Sequence, residues 1–283
     1  MGTNRHRVQR ADLHRRASSL RTYLVCSTHR TGTTLLCQLL ADTALCGSPE
    51  EYFSPRWAPR FAEELATGRI ARKDGVSAPD GPPDGSLFEQ LDLEKYLQDL
   101  FDAKATANGV WGSKLHWPHV RRLHDAFKPR RKLLRGGRST HRLLEEIFAG
   151  PRYLWIRRRD KVKQAISFWR SMQTRIYNTA SDNVVESVQP EFDYARIHDI
   201  VQRFEKHDRA WERLFQAGGV QPLVVEFETF VKSMERTVED VLEFLEIETT
   251  ADFAAPVPRL KKISNQLNED WYRRYHEMRA GEQ

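Results

Sequence analysis

The segment Thr22–Leu36, TYLVCSTHRTGTTLL, constrains the fold more than any other part of the chain. It begins with a short apolar run rich in strand-forming side chains, continues as a small polar loop, and ends with leucines at helical spacing. A strand, a tight loop and a helix start point several backbone N–H groups at one spot, where the positive end of the helix also attracts an anion. The segment therefore predicts a phosphate-binding loop.

This loop differs from the GxxxxGK[ST] loop of nucleotide triphosphatases, whose lysine reaches the terminal phosphates. Gly32 is followed by Thr33 and Thr34, and the cation, Arg30, precedes the glycine by two residues. An arginine is always charged, and its fork-shaped guanidinium binds an oxyanion without a metal. From the residues alone, the alternative is an ordinary strand–helix turn whose threonines cap the helix.

The distribution of charge argues against a nucleic-acid function. The net charge is +6, but residues 1–21 hold six arginines against the single acid Asp12, which leaves the rest of the 283-residue chain almost neutral. We expect a basic, flexible N-terminal arm over residues 1–20 and a single domain over residues 21–283.

The chain shows neither a secretory signal nor a membrane-spanning stretch, because its arginine-rich start lacks an apolar region. Its cysteines (Cys26, Cys37 and Cys46) are too few for a disulfide framework and lack the spacing of metal ligands, so we expect them in the core. These features predict a cytoplasmic protein without a bound metal.

Strand and helix patterns alternate along the chain. Apolar runs predict strands at Val110–Leu115, Tyr153–Ile156 and Pro222–Glu226. Helices are predicted at Leu91–Ala105, at Pro118–Phe127, from just after Asp160 to about Arg175, at Asp193–Ala217 and at Thr229–Leu245. Loops are predicted at Lys73–Gly85, Lys128–Arg142 and Asn178–Pro190. This order implies a parallel α/β sheet covered by helices on both faces, whose ligands bind outside the carboxyl ends of the strands.

A second cationic strand end follows Tyr153–Ile156. The run Arg157–Arg159 would lie at the same edge of the sheet as the Thr28–Thr33 loop, which suggests a ligand with two anionic groups. The second anion would be anchored at Arg158, with Gln164 and Ser167 of the next helix as support. A solvated turn is the alternative for such a run.

Five ordered motifs carry a resemblance to a known family: STHRTGTTLL, GSPEEYF, WGSKLHW, IRRRDKVKQAISFWRSMQTR and NQLNEDW. From residue 22 to about residue 275, the chain resembles the bacterial carbohydrate sulfotransferases typified by trehalose 2-sulfotransferase. The resemblance implies a P-loop-type parallel sheet flanked by helices, the sulfotransferase fold. It also implies sulfonate transfer from 3′-phosphoadenosine 5′-phosphosulfate (PAPS) to a hydroxyl of a carbohydrate or glycolipid, without a metal. A homodimer is compatible with the family, although no self-complementary face is evident in the sequence.

For the donor, the resemblance implies two binding regions and a closing segment. The family's 5′-phosphosulfate loop falls on Arg30, Thr31, Gly32, Thr33 and Thr34. Its 3′-phosphate site falls on Arg158 and Ser167, with Arg157 and Arg159 as competitors for Arg158. Its C-terminal basic segment falls on Arg259, Lys261 and Lys262.

For catalysis, the resemblance implies that Glu51 is the general base, with Glu50 as its nearest competitor. Lys114 would reach the sulfonate or the acceptor, unless it is only an edge cation. The implied acceptor contacts are His29, Ser48, Glu51, Tyr52, Gln173 and Arg175. His29 and Ser48 stand where the family archetype has Gln and Glu, which argues for an acceptor other than trehalose. Trp111, Trp117 and Trp169 could offer faces to a sugar, but core positions are the alternative.

Two other functions remain open from the sequence. An ATP-dependent kinase on the same scaffold is disfavoured by the missing Walker lysine and by the lack of an evident magnesium carboxylate. A non-enzymatic module that binds nucleic acid or an anionic surface would use the arginine-rich arm and the basic loops.

Overall fold

A four-stranded parallel sheet organises the part of the chain that the computed structural model describes, residues 12–68, 91–127, 140–178, 188–261 and 263–281. Its strands are β1 (Arg21–Ser27), β2 (Val110–His116), β3 (Arg152–Arg157) and β4 (Leu223–Glu226), in the order β2-β1-β3-β4. All neighbouring strands pair in parallel, which confirms the predicted α/β class. The carboxyl ends of the strands therefore meet at one edge of the sheet.

Helices connect and cover the strands. They are α1 (Thr33–Asp42), α2 (Ala58–Thr67), α3 (Leu93–Lys104), α4 (Trp117–Phe127), α5 (Thr140–Phe148), α6 (Lys161–Thr174), α7 (Tyr194–Gly218), α8 (Phe227–Phe230), α9 (Met234–Phe244) and α10 (Gln266–Gly281). The helices α3, α4, α6 and α7 begin or end within about two residues of the predicted bounds, because their apolar stripes are buried. The helices α2, α5 and α10 were not predicted from the sequence.

The strands alternate their side chains between two cores. On β1, Leu24 and Cys26 face a core shared with α3, α4, α5 and α7, whereas Tyr23 and Val25 face a core shared with α1 and α9. A third cluster joins α6, α7 and α10 around Phe204. Both sheet faces are thus covered, as expected for a parallel sheet. The three cysteines are buried thiols outside any disulfide, in agreement with their predicted core positions.

Glycine at position 112 is required by close packing. A Cβ atom added at Gly112 on β2 would lie 2.2 Å from the ring of Tyr23 on β1, closer than any real contact. Because position 112 has no side chain, the ring of Tyr23 on β1 can pack directly against the backbone of β2. This packing fixes the relative position of the two strands that lead into the site.

The predicted helix at Thr229–Leu245 is wrong in one respect, because it is divided into α8 and α9. The chain turns at Ser233, whose φ of −142° and ψ of 57° lie outside the helical region. Val238, Leu242 and Leu245 are nevertheless buried, as the apolar periodicity predicts.

The N-terminal arm is partly packed. Residues 12–18 are helical, and Leu13 and Ala17 lie in the core, so the packed part of the chain begins before residue 21. Arg16 forms an ion pair of 2.6 Å with Asp102. The predicted loop at Lys73–Gly85 lies outside the described residues, as do most of Lys128–Arg142 and Asn178–Pro190. Within the described ranges, no helix is long and apolar enough to cross a membrane.

Candidate active site

The loop between β1 and α1 has a backbone that only a few sequences allow. Gly32 has a φ of 80°, and a Cβ atom there would lie 2.8 Å from Cδ2 of Phe227. Arg30 also adopts a positive φ, 65°. A non-glycine residue in this region is uncommon and costs free energy, so the surrounding structure must hold the loop in place.

Contacts from two helices hold the loop. Gln164 Nε2 on α6 donates to Thr28 Oγ1 at 2.7 Å and to the His29 carbonyl oxygen at 2.6 Å. Trp211 Nε1 on α7 donates to the Ser27 carbonyl oxygen at 3.0 Å. The loop is therefore fixed by side chains that are themselves buried.

The first turn of α1 is open to an anion. The N-cap residue is Gly32, and no side chain caps the helix, so the alternative of a turn capped by its threonines is wrong. Instead, the Thr31 hydroxyl donates to the Thr28 carbonyl oxygen at 3.0 Å and lies 2.7 Å from the Thr33 hydroxyl. Unpaired N–H groups and the positive helix end provide the electrostatics of an anion site.

Glu51 and Lys114 form a short ion pair beside this loop. The distance from Lys114 Nζ to Glu51 Oε1 is 2.6 Å, and the ammonium also donates to Thr34 Oγ1 at 2.8 Å. Lys114 is 6% exposed, so the pair is strongly shielded from water. One ammonium group therefore connects a carboxylate to the first turn of α1.

Backbone hydrogen bonds place Glu51 above β2. The Glu50 carbonyl oxygen accepts from Lys114 N at 2.9 Å and from Ser113 Oγ at 3.2 Å, and residues 50 and 113 form a parallel bridge. Glu51 is the acid that forms the ion pair with Lys114.

The charge state of Glu51 follows from its neighbours. Burial raises the pKa of this carboxyl, but Lys114 and the adjacent His116 oppose that effect and hold the pKa well below its ordinary value. Glu51 is consequently ionised at neutral pH and able to accept a proton.

Three histidines lie next to this carboxylate. The rings of His29 and His116 are stacked with centroids 4.1 Å apart, and His119 lies 5.4 Å from His116. Burial lowers the pKa of each imidazole, and that of His119 falls to about 3 with His116 as a further cause. These rings are therefore neutral at pH 7. The predictions from sequence included His29 but missed His116, although its position two residues after Lys114 on one strand places both side chains on the same face.

Of the three consecutive arginines, only Arg158 is directed at the loop. Its guanidinium donates to the Arg30 carbonyl oxygen at 3.4 Å and lies 4.5 Å from the centre of the Phe227 ring. Its buried Nε has no hydrogen-bond partner among the described residues. Burial lowers the pKa of Arg158, although nearby acids oppose this.

The other two arginines pair with acids. Arg157 lies 3.0 Å from Glu226 Oε1, and Arg159 lies 3.2 Å from Glu226 Oε2 and 3.8 Å from Glu228 Oε2. This difference favours Arg158 among the three alternatives that the sequence left open.

Arg30 and Ser167 are in direct contact, which the sequence did not indicate. Arg30 Nε donates to Ser167 Oγ at 3.0 Å, and another of its nitrogens donates to the Tyr177 carbonyl oxygen. Burial, together with the charge of Arg158, lowers the pKa of Arg30 to about 10, so it stays cationic at pH 7. The two predicted anion regions therefore form one continuous cationic surface. A small cavity borders it, lined in part by Arg30, Ser167 and Ser171.

Two predicted sugar contacts lie in the core. Tyr52 and Trp111 are both fully buried, so neither offers a face to a ligand in this structure. The Tyr52 hydroxyl instead donates to the Ser48 carbonyl oxygen, which ties down the segment that carries Glu51. Burial of Trp111 agrees with the core alternative that the sequence left open, whereas burial of Tyr52 leaves its predicted acceptor contact without support in this structure. Ser48 itself is half-buried in the same segment.

The remaining predicted acceptor contacts lie at the end of α6. Gln173 donates to and accepts from the backbone of Glu191, at 3.0 Å and 2.8 Å, and thereby joins this end of the helix to the start of the next segment. Trp169 Nε1 donates to the Glu191 carbonyl oxygen at 2.9 Å. Arg175 is exposed and ends the helix with a φ of 58°.

The C-terminal basic segment is only partly described. Lys262 lies outside the described residues, so its predicted donor contact has no structural account. Arg259 forms an ion pair of 2.6 Å with Asp42 at the far end of α1, about 13 Å along the helix from the loop between β1 and α1. Within the described residues, no group of three or more His, Cys, Asp or Glu side chains is arranged to hold a metal ion.

The structure is an α/β domain with a four-stranded parallel sheet, and a glycine-containing loop follows its first strand with an ionised carboxylate beside it. The chain belongs to the Stf0 sulphotransferase family, whose sequence profile matches residues 22–278. A trehalose 2-sulfotransferase of Mycolicibacterium smegmatis is 28% identical over 263 residues, covering 89% of this chain and 93% of the relative. A trehalose 2-sulfotransferase of Mycobacterium tuberculosis is 26% identical over 262 residues, covering 91% and 95%.

Proposed function

We propose that this sulfotransferase moves a sulfonate group from PAPS to a hydroxyl of a carbohydrate or glycolipid, with Glu51 as the general base. The contact of Lys114 with both Glu51 and Thr34 carries the proposal, because a carboxylate that could accept a proton then lies next to the loop that would hold the donor. The names of the two mycobacterial relatives support a carbohydrate acceptor.

The cationic surface fits a donor with two anionic groups. The backbone N–H groups from Gly32 to Thr34 would hold the 5′-phosphosulfate at the first turn of α1. Arg158, whose Nε lacks a partner among the described residues, and Ser167 would hold the 3′-phosphate. Arg30 touches both regions and would neutralise charge between them.

The chemistry makes one bond and breaks another. The acceptor oxygen attacks sulfur, the bond between sulfur and the bridging oxygen breaks, and adenosine 3′,5′-bisphosphate (PAP) leaves with the bonding electrons. Glu51 accepts the proton of the attacking hydroxyl. Negative charge grows on the bridging oxygen and the leaving phosphate, where the loop N–H groups and the Lys114 ammonium stabilise it.

The identity of the acceptor depends on side chains that differ from the family archetype. His29 and Ser48 replace Gln and Glu at positions implied to contact the sugar. An imidazole and a hydroxyl satisfy other sugar hydroxyls than an amide and a carboxylate, and buried unpaired polar groups discriminate strongly between substrates. We therefore propose a sugar whose hydroxyl pattern differs from that of trehalose.

A transfer assay with ³⁵S-labelled PAPS tests the proposal. The acceptors are trehalose, other neutral disaccharides, a glycolipid and a lipopolysaccharide fragment, and the expected result is a labelled sugar product. Glu51→Gln should lose most turnover while retaining PAP binding, whereas the neighbouring Glu50→Gln serves as the matched control. Wild-type turnover in Glu51→Gln would show that the base is elsewhere.

Calorimetric titration with PAP and with ATP tests the donor. We expect PAP to bind without added magnesium. Magnesium-dependent binding of ATP without binding of PAP would exclude PAPS as the donor and favour a kinase.

A further inference from the structure

His116 is a buried histidine for which the reaction described above has no use. It ends β2 and is 2% exposed, yet it lies next to the carboxylate on which the proposed chemistry depends. Its Nε2 atom is 3.6 Å from Glu51 Oε1, and its Nδ1 atom is 2.8 Å from Ser27 Oγ. The two ring nitrogens thus face two different polar groups.

The position of the ring is set by the sheet. Residues 27 and 116 are register partners on β1 and β2, so the short contact between their side chains follows from strand pairing. One face of the His116 ring is covered by the ring of His29, whose centroid lies 4.1 Å away with an angle of 27° between the planes. A ring held by a neighbouring strand and by a stacking partner has little freedom to turn.

The chemistry of these neighbours decides which nitrogen carries the proton. The imidazole is neutral, so it has one N–H group, and an ionised carboxylate can only accept a hydrogen bond. The serine hydroxyl can donate. The arrangement with the proton on Nε2 satisfies both neighbours, because Ser27 donates to Nδ1 and Nε2–H is directed at Glu51.

We propose that His116 is a positioning residue for Glu51, acting through Nε2–H on the carboxylate oxygen that Lys114 also contacts. The distance of 3.6 Å exceeds that of a hydrogen bond. A movement of about 0.6 Å would bring it to the usual length, and catalytic hydrogen bonds commonly shorten when substrates bind. With Oε1 held by Lys114 and His116, Oε2 is left to receive the acceptor's proton. This inference rests on the proposed role of Glu51.

Two amide substitutions separate this role from a structural one. His116→Gln places its amide near the position of Nε2, whereas His116→Asn places its amide near Nδ1, where it can bind only Ser27. We expect His116→Gln to keep kcat within about threefold of the wild type and His116→Asn to lose about 10- to 100-fold, since a small misplacement of a catalytic group has effects of this size. The KM for PAPS and the Kd for PAP should stay unchanged in both variants.

The acceptor in this comparison is trehalose or the best sugar of the panel above. Equal kcat values for the two variants, or a higher value for His116→Asn, would overturn the inference. Turnover of Glu51→Gln is measured in parallel: if it equals that of the wild type, the base assignment fails. The ratio between the two His116 variants reports the positioning role separately.

A spectroscopic measurement does not depend on an acceptor or on the folding of the His116 variants. In protein labelled with ¹⁵N-histidine, Glu51→Gln should shift the Nε2 resonance of His116, because it removes the anion that the N–H group faces. The resonances of His141, which lies next to Glu145 on α5, should not move. An unchanged His116 resonance would overturn the inference.

Discussion

The Nζ atom of Lys114 lies 2.6 Å from Oε1 of Glu51, inside a site where the lysine is almost inaccessible to water. The same ammonium donates to Thr34 Oγ1 at the start of α1. Shielded charges interact much more strongly than exposed ones, so the lysine determines both the orientation of the carboxylate and its charge. In this site, the proposed proton acceptor and the first turn of α1 share one cation.

Removal of this cation should lower the fraction of Glu51 that is ionised at a given pH. In Lys114→Met, Glu51 loses the opposing charge that offsets its burial, so the pKa of the carboxyl should rise. Because the base acts when ionised, the acid limb of the kcat/KM profile should move to higher pH, and kcat at pH 7 should fall by about 100-fold. A pH profile from pH 5 to 9 measures both effects. Loss of activity without movement of the acid limb would mean that Lys114 acts on the sulfonate alone.

Arg158 and Arg159 make a matched pair for testing the 3′-phosphate site. Arg158→Met should weaken PAP binding by about 10- to 100-fold, the loss expected for a charge-assisted hydrogen bond. Arg159→Met should change the Kd less than about twofold, because this side chain is paired with Glu226 and is 63% exposed. Calorimetric titration with PAP measures both constants, and a reversed order of the two effects would assign the phosphate to Arg159.

Substitution of Gly32 should combine two costs. Gly32→Ala forces a Cβ atom into a positive φ and also to within 2.8 Å of the Phe227 ring. Gly219→Ala is the control, because Gly219 has a φ of 64° but no atom within 4 Å of the added Cβ. Each variant should lose about 1 kcal/mol of unfolding free energy from backbone strain, and Gly32→Ala about 1–3 kcal/mol more from overpacking. Urea unfolding measures this difference, and equal losses would show that Phe227 moves aside without cost.

The neutral state of His119 predicts a loss of stability in acid. Burial, with His116 nearby, lowers its pKa from 6.5 to about 3. Between these pH values the unfolded chain binds a proton that the folded chain does not, so stability falls as the pH drops below about 6.5. At pH 5.5 this side chain alone should cost about 1.4 kcal/mol relative to pH 7.5. His119→Gln should reduce the fall in unfolding free energy between these pH values by that amount, and an unreduced fall would contradict the prediction.

Much of the architecture could be predicted because β1, β2 and β3 are buried on both faces. Their apolar runs and the amphipathic helices between them fix the α/β class, and the class places Arg30 and Arg158 at one edge of the sheet. Directions of side chains could not be predicted in this way. Tyr52 is polar enough to suggest a sugar contact, but tertiary packing buries it completely.

Contacts between distant segments were also beyond sequence reasoning. The proximity of His116 to Glu51 depends on the bridge between residues 50 and 113, which are 63 positions apart. Likewise, the sequence alone does not show which of Arg157, Arg158 and Arg159 faces the loop. They differ only because Glu226 and Glu228, from β4 and α8, pair with Arg157 and Arg159.

The bridge between Glu50 and β2 has a consequence for how such a protein can change its substrate. The hydrogen bond from Lys114 N to the Glu50 carbonyl oxygen is a main-chain contact, so it holds the backbone beside Glu51 whatever side chain stands at position 48. Ser48 can therefore be exchanged to suit another sugar while the backbone that carries Glu51, the proposed base, stays in place. Under the proposed function, the choice of acceptor and the proton transfer then depend on different residues of the segment from Ser48 to Glu51.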